Sequence, residues 1–249
     1  NYVGIFNTLR APLDDVKVRQ ALSYAIPYQD IIKIGANGLG TQSFGTVPAG
    51  VYPWDNTVGQ YTYDLDKARQ LLKDAGHEGG GFSLRLTYTA SNASEEAFAP
   101  LIKDSFAQIG VDVTIEALAL GEQLKLARSG KDGQDMTLLL YWPAYADAGA
   151  DNLWSLFYYT EKPSWNLSYW NSPEYNKLWD EASALSGTDF AASKNKYVEA
   201  VKLLVTEAPG VFLYDTMEIA VIPNTISGFS YNLNYPFWHF NYYELRAAK

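Results

Sequence analysis

Between residues 82 and 141 the chain changes hydrophobic period again and again, and that rhythm limits the folds open to it. Residues 82–88 alternate apolar and polar side chains, as a strand with one solvated face does. Residues 94–109 place Phe98, Leu101, Ile102, Phe106 and Ile109 at helical spacing, and Gly110 closes the helix. Residues 111–117 read as a second strand, 121–129 as a short helix, and 136–141 as a continuous apolar run. A strand covered on both faces has that last composition. Strand, helix, strand, helix, strand at these spacings predicts a largely parallel sheet with flanking helices. The loop at 142–151 then leaves the carboxyl end of the most apolar strand, where open α/β sheets bind ligands.

Upstream, residues 2–6 are short, apolar and β-prone, and read as a strand. Asp14 is expected to cap a helix carrying Val18, Leu22, Ala25 and Ile26. Pro27 is expected to start a second, with Ile31, Ile32 and Ile34. Residues 38–60 hold five glycines and two prolines, and read as an irregular loop long enough to suggest a function. Residues 64–75 read as a helix that buries Leu65, Ala68, Leu71 and Leu72 and ends at Gly76. Two more helices are expected at 173–185 and 189–208. Strands are expected at 211–214, at 219–222 and in the aromatic tail 229–245. The chain opens at Asn1 inside a strand pattern, and is expected to be a mature chain or a fragment.

Composition narrows the chemistry. With 249 residues, 47 % hydrophobic and 19 % charged, the chain can bury a core. A formal net charge of −9 repels phosphate backbones, so nucleic acid is not expected as a partner. The chain has no cysteine and only two histidines, His77 and His239, far apart. No cofactor, metal centre or thiol nucleophile is expected from that inventory. The phosphate-binding and dinucleotide-binding glycine motifs are absent, as is the GxSxG nucleophile turn. Aromatic residues are abundant at 15 %, and Tyr and Trp suit a wet ligand cleft. Asp147 and Asp151 flank the loop after the apolar strand, so a carbohydrate hydrolase with a carboxylate pair is an alternative. Asn92-Ala-Ser94 and Asn166-Leu-Ser168 fit a glycosylation sequon, a triplet that also arises by chance.

Four blocks add a resemblance. They are FNTLRAPLDDVKVRQAL at 6–22, YDLDKARQLLKDAG at 63–76, Ile109-Gly-Val-Asp-Val113, and NSPEYNKLWDEA at 171–182. In this order, over nearly the whole chain, they resemble the oligopeptide-, dipeptide- and nickel-binding proteins of ABC importers. The resemblance implies an α/β lobe of the periplasmic binding protein type (type II-like), spanning 13–224. Segments 1–12 and 225–249 would then lead to a second lobe, with residues 2–6 and 229–245 lying together as strands at one edge. It also implies a non-catalytic protein, periplasmic or extracellular and open to lipid anchoring. Such a protein captures a small solute and delivers it to a membrane permease.

The same resemblance suggests a ligand set. Peptide-binding members carry an Asp three residues after the Trp matching Trp142, and it pairs with the ligand's α-amino group. That position is Tyr145 here, with Asp147 two residues on as a candidate substitute. The faces of Trp142 and Tyr145 suit sugar rings, so an oligosaccharide or glycoside is the leading expectation and a short peptide the alternative. Arg128 matches an Arg near the ligand's carboxylate end. Asn92 and Ser94 fall in a loop after a strand lining the cleft, Phe229 matches an aromatic at the hinge side, and Trp54 lies in a long loop reaching the mouth. Each also has a plainer reading: core plugs for Trp142 and Phe229, and for Arg128 a cation at a helix end.

Overall fold

The computed structural model describes residues 1–141, 149–162, 165–217, 219, 221–228 and 246–247. The chain opens with β1 (Tyr2–Phe6), α1 (Val16–Tyr24), α2 (Tyr28–Gly35), β2 (Gly40–Gln42) and α3 (Leu65–Asp74). The alternating stretch follows as β3 (Phe82–Thr89), α4 (Ala93–Ala107), β4 (Val111–Leu118), α5 (Leu120–Ala127) and β5 (Met136–Leu140). A wide helical turn at Gly149–Leu153 leads into α6 (Trp154–Phe157), and α7 (Pro173–Leu185), α8 (Phe190–Glu207) and β6 (Gly210–Thr216) come next. Beyond them β7 (Ile226–Ser227) pairs antiparallel with β8 (Arg246–Ala247).

Six strands form one sheet in the order β2-β6-β1-β5-β3-β4. β3 pairs parallel with both β4 and β5. β1 is antiparallel to β5 and to β6, and β2 is antiparallel to β6. Four of these six strands therefore share one direction, and the sheet is parallel on one flank and antiparallel on the other.

The helices divide between the two faces. On one face, residues of α1 to α4 pack with Tyr2, Phe6, Leu84, Leu86, Met136 and Leu213. On the other, residues of α5 to α8 pack with Val3, Ile5, Leu139 and Phe212. The period-2 alternation of a strand assigns neighbouring residues to opposite cores. The edges depart from this: in β4 Val111 and Val113 are buried while Asp112 and Thr114 face solvent, and Thr41 of β2 is exposed at the opposite edge.

The placement of β1 corrects the sequence reading. The strand was expected at an edge; it lies between β5 and β6, with all five residues buried. Tyr2 faces Leu140 on one side and Tyr214 on the other. The reason lies in its composition, which is apolar toward both cores. Gly4 lets the neighbours close in, since a Cβ there would sit 2.4 Å from the Met136 methyl and 2.8 Å from Val211. The expected partner of β1, the tail 229–245, lies outside the described residues.

Other boundaries move slightly. The cap of α1 is Asp15, whose carboxylate accepts from the Lys17 amide, rather than Asp14. The loop at 38–60 contains β2. Ile219 and Val221 are exposed and not in a strand, Val221 to 95 %. Gly110 turns from α4 into β4 at φ +78°, where a Cβ would lie 1.9 Å from the Gly79 carbonyl oxygen.

Arg19, from the first sequence block, is a structural residue. It is 3 % exposed and donates only to backbone carbonyls in the hydrogen bonds described: Leu13, Asp14, Glu207 and Ala208. Two of those carbonyls end α8, so α1 caps α8 through Arg19, beside Gln20, which donates to the Thr206 carbonyl at 2.8 Å.

Candidate functional site

The direction of winding reverses at β3. α4 carries the chain from β3 to β4 across one face of the sheet, and α5 leads it back past β3 toward β5 across the other. Ligand sites of open α/β sheets form at such a reversal, outside the carboxyl ends of the strands. Here the two strands also part. Their parallel register pairs Leu86 with Met136 and Thr87 with Thr137 and stops there, although β3 runs to Thr89 and β5 to Leu140.

Two polar side chains fill the resulting crevice, one from each face. Gln123 of α5 donates to the Leu138 carbonyl at 2.9 Å and accepts from the Thr89 hydroxyl at 2.7 Å. Glu95 of α4 is fully buried and accepts from the Thr89 amide at 2.8 Å and the Asn92 side-chain amide at 3.0 Å. Burial pushes the Glu95 carboxyl up to about 7, because hydrogen bonding, chiefly to the Thr89 amide, only partly offsets the loss of water.

Asn92 and Ser94 were expected in a loop after β3; Asn92 is the N-cap of α4 and Ser94 lies in its first turn, and the fold employs both. Asn92 caps α4, accepting from the Ser94 and Glu95 amides and from the Tyr2 hydroxyl at 3.2 Å. Ser94 donates to the Gly35 carbonyl at 2.7 Å and ties α4 to α2.

A second cluster forms where β5 ends. The Tyr141 hydroxyl donates to Asp151 at 2.7 Å and lies 2.6 Å from the Ser155 hydroxyl. Trp165, 36 % exposed, meets Tyr141 edge-on at 6.4 Å. The Arg128 guanidinium sits 5.1 Å from the Trp165 ring centre, a cation–π contact. Arg128 is thus the C-cap of α5, and its side chain reaches the end of β5 through Trp165. Trp54 is elsewhere, half-buried against Phe44 at 6.3 Å in the second core. Trp142, Tyr145, Asp147 and Phe229 lie outside the described residues.

Glu95, Gln123, Tyr141 and Trp165 escaped the sequence reading. For Glu95 the signal was present: Asn92-Ala-Ser-Glu95 has the spacing of a capping box. His77 packs edge-on against Phe82. Among the described residues no group of three His, Cys, Asp or Glu is placed to hold a metal ion. Among them, too, no helix is long and apolar enough to cross a membrane.

A family model described as bacterial extracellular solute-binding proteins, family 5, middle region, matches residues 1–164. The dipeptide-binding protein of Escherichia coli (strain K12) is 30 % identical over 231 residues, covering 90 % of this chain and 42 % of that protein. The structure of HbpA2 from Haemophilus parasuis superposes with a TM-score of 0.88 at 23 % identity, over 100 % of this chain and 48 % of that one. The ABC transporter-associated periplasmic binding protein DppA from Helicobacter pylori, solved with the peptide STSA, gives 0.80 at 24 % identity, over 100 % and 47 %. The chain therefore spans less than half the length of these relatives. The family model covers most of the chain, and these folds match throughout it: the chain belongs to family 5 of the bacterial extracellular solute-binding proteins.

Proposed function

We propose that this chain supplies the ligand-gripping lobe of the solute-binding component of an ABC importer, acting outside the cytoplasm, and that its solute is a short peptide. The observation that carries the ligand class is the relative matched over 90 % of the chain, which is named as a dipeptide-binding protein. A structural neighbour solved with a peptide adds to it. Both favour peptide over the oligosaccharide expected from Tyr145. That expectation rested on counting three residues from Trp142. A carboxylate, Asp147, stands only two residues further on. A peptide's ammonium group needs such a partner once desolvated, because an unpaired buried charge costs several kcal/mol.

In this reading the solute lies over the carboxyl ends of β3 and β5. Asp147 is assigned to the amine from its place in the sequence, and Arg128, held against Trp165, to the carboxylate end. Closure of a second lobe then buries the solute and favours the closed state by differential affinity. Nothing in this scheme breaks a bond. Asp151, the second acid of the hydrolase alternative, is committed to Tyr141. Calorimetry on the full-length protein tests the proposal with free-amine peptides of two to four residues, their N-acetylated forms, and oligosaccharides. Free-amine peptides are expected to bind, and N-acetylation or Asp147→Asn to weaken binding at least tenfold, about 1.4 kcal/mol. Binding of oligosaccharides with no heat from any peptide would overturn it.

A further inference from the structure

We infer that Trp165 is a positioning residue for Arg128, and that segment 165–170 is the bracket through which the lobe sets its preference for a solute with a free carboxylate. The carboxylate role of Arg128 rests on the proposed function; the bracket does not. It is built on a buried polar knot. Asn166 and Ser168 are both buried. The Asn166 side-chain amide donates to the carbonyls of Phe157, Tyr158 and Trp170 at 3.3, 3.4 and 3.2 Å, and its oxygen accepts from the Ser168 hydroxyl. The Ser168 carbonyl accepts from the Thr8 amide and the Thr8 hydroxyl, each at 2.9 Å, just beyond β1. Leu167 and Trp170 sit in the second core. A segment held at so many points presents its remaining side chains in fixed directions.

Two side chains leave the knot for the end of α5. Tyr169 has φ +56°, a left-handed backbone that a residue with a side chain adopts at a cost. Such strain persists where surrounding contacts over-determine it. Here those contacts bear on the residues flanking Arg128. The Tyr169 hydroxyl donates to the carbonyl of Ala127, the last residue of α5, at 2.9 Å, and accepts from the Gly130 amide at 3.0 Å. Trp165 takes Arg128 itself, whose guanidinium lies 5.1 Å from the ring centre. Its own ring is steadied edge-on by Tyr141, whose hydroxyl is bonded to Asp151. The chemistry suits arginine. A guanidinium seated on an aromatic face keeps its charge, and its planar N–H edge matches a carboxylate with two hydrogen bonds. An arginine without such a seat loses more conformational freedom when a ligand captures it. Seating it beforehand should strengthen only the solutes that use Arg128, which is a specificity effect and not a general one.

Calorimetry on the full-length protein, with one tripeptide as its free acid and as its C-terminal amide, reads the preference. In the wild type the acid is expected to bind about tenfold tighter than the amide, the scale of a charge-assisted hydrogen bond. Trp165→Leu should cut that ratio to about threefold, the scale of a lost cation–π contact, while the amide stays within about twofold of wild type. Trp165→Phe keeps an aromatic face and should retain most of the ratio. The bracket is read without solute: in NMR of the labelled protein the Arg128 Nε–H signal should move in Trp165→Leu, and also in Tyr169→Phe, which loses both hydrogen bonds to the end of α5. A loss in Trp165→Leu shared equally by acid and amide would overturn the inference, since Trp165 would then be packing alone. So would an unmoved Arg128 signal. Should Trp165→Leu not fold, Tyr169→Phe decides, and a ratio and signal both unchanged there would overturn it. A wild type that binds acid and amide equally refutes the carboxylate role of Arg128 and the specificity inferred from it. Should no peptide bind, the proposed solute is wrong, while the Arg128 signal still decides whether Trp165 positions that side chain.

Discussion

Arg19 and Glu95 are both buried ionisable side chains, and they mark two regions built on different terms. Arg19 lies where α1 meets the end of α8, donating to four backbone carbonyls, with the Glu207 carboxylate 3.9 Å away. Its guanidinium stays charged at any pH the protein meets. Glu95 lies where two strands separate, surrounded by donors and lacking a cation among the described residues, and burial moves its titration to about 7. The contrast separates fold closure from site geometry. The join that completes the lobe uses a charge that does not vary, and the edge of the crevice uses one that does.

Removing the first group should have the largest effect. Arg19→Leu leaves the carbonyls of Leu13 and Ala208 buried, and that of Glu207 half-buried, without this donor. It should lower stability by about 3–5 kcal/mol in chemical denaturation. Arg19→Lys should recover only part, since an ammonium lacks the planar fork that reaches both helix ends. A loss below about 1 kcal/mol would show that α8 closes without Arg19.

The second group should show itself as a slope. Its folded value is raised from 4.5 to about 7, so between those limits the unfolded chain has given up the proton while the native state keeps it. Native stability contributed by Glu95 is therefore fully present below about pH 4.5 and is lost as pH rises to about 7, by up to about 3 kcal/mol. The difference in stability between wild type and Glu95→Gln should follow that slope. A difference independent of pH would mean that Glu95 acts as an ordinary cap.

The smallest effect sharpens the comparison as a control. Asp64 caps α3 by accepting from the Lys67 amide at 2.9 Å, and it is exposed. Asp64→Ala should cost about 1 kcal/mol in thermal or urea unfolding and leave the pH slope assigned to Glu95 untouched.

Much of the lobe was legible because its signals are local. Asp64, Pro173 and Gly110 announce helix ends, and the helix at 94–109 shows its buried face through Phe98, Ile102 and Phe106. What one strand sits beside is not a local property. Residues 2–6 read correctly as a strand, yet apolar side chains on both faces say only that both are covered, not by which neighbours. β2 was missed because Gly40-Thr-Gln42 is short and polar, and its pairing with β6 comes from position. Residues 219–222 misled through apolar composition alone. At the site, Asn92 and Ser94 were read as loop residues for a ligand; in the structure they cap α4 and tie it to α2, and the buried Glu95 beside them was passed over. A carboxylate that looks like a helix cap in one dimension proves to be buried and to accept from the end of β3 only when the strand is folded against α4.

The central place of β1 also bears on how the lobe assembles. Its five residues pair with β5, some 130 positions later, and with β6, over 200 positions later. A chain emerging from its amino end must hold this apolar strip in reserve until almost the whole lobe exists. Such distant pairing slows folding and leaves sticky intermediates exposed. The helices and the β3-β4 pair can form early from nearby residues, but the sheet becomes continuous only when the first strand is clamped between two late ones. In a polypeptide of this design, keeping the β1 strip covered until β5 and β6 are made favours the native state over association.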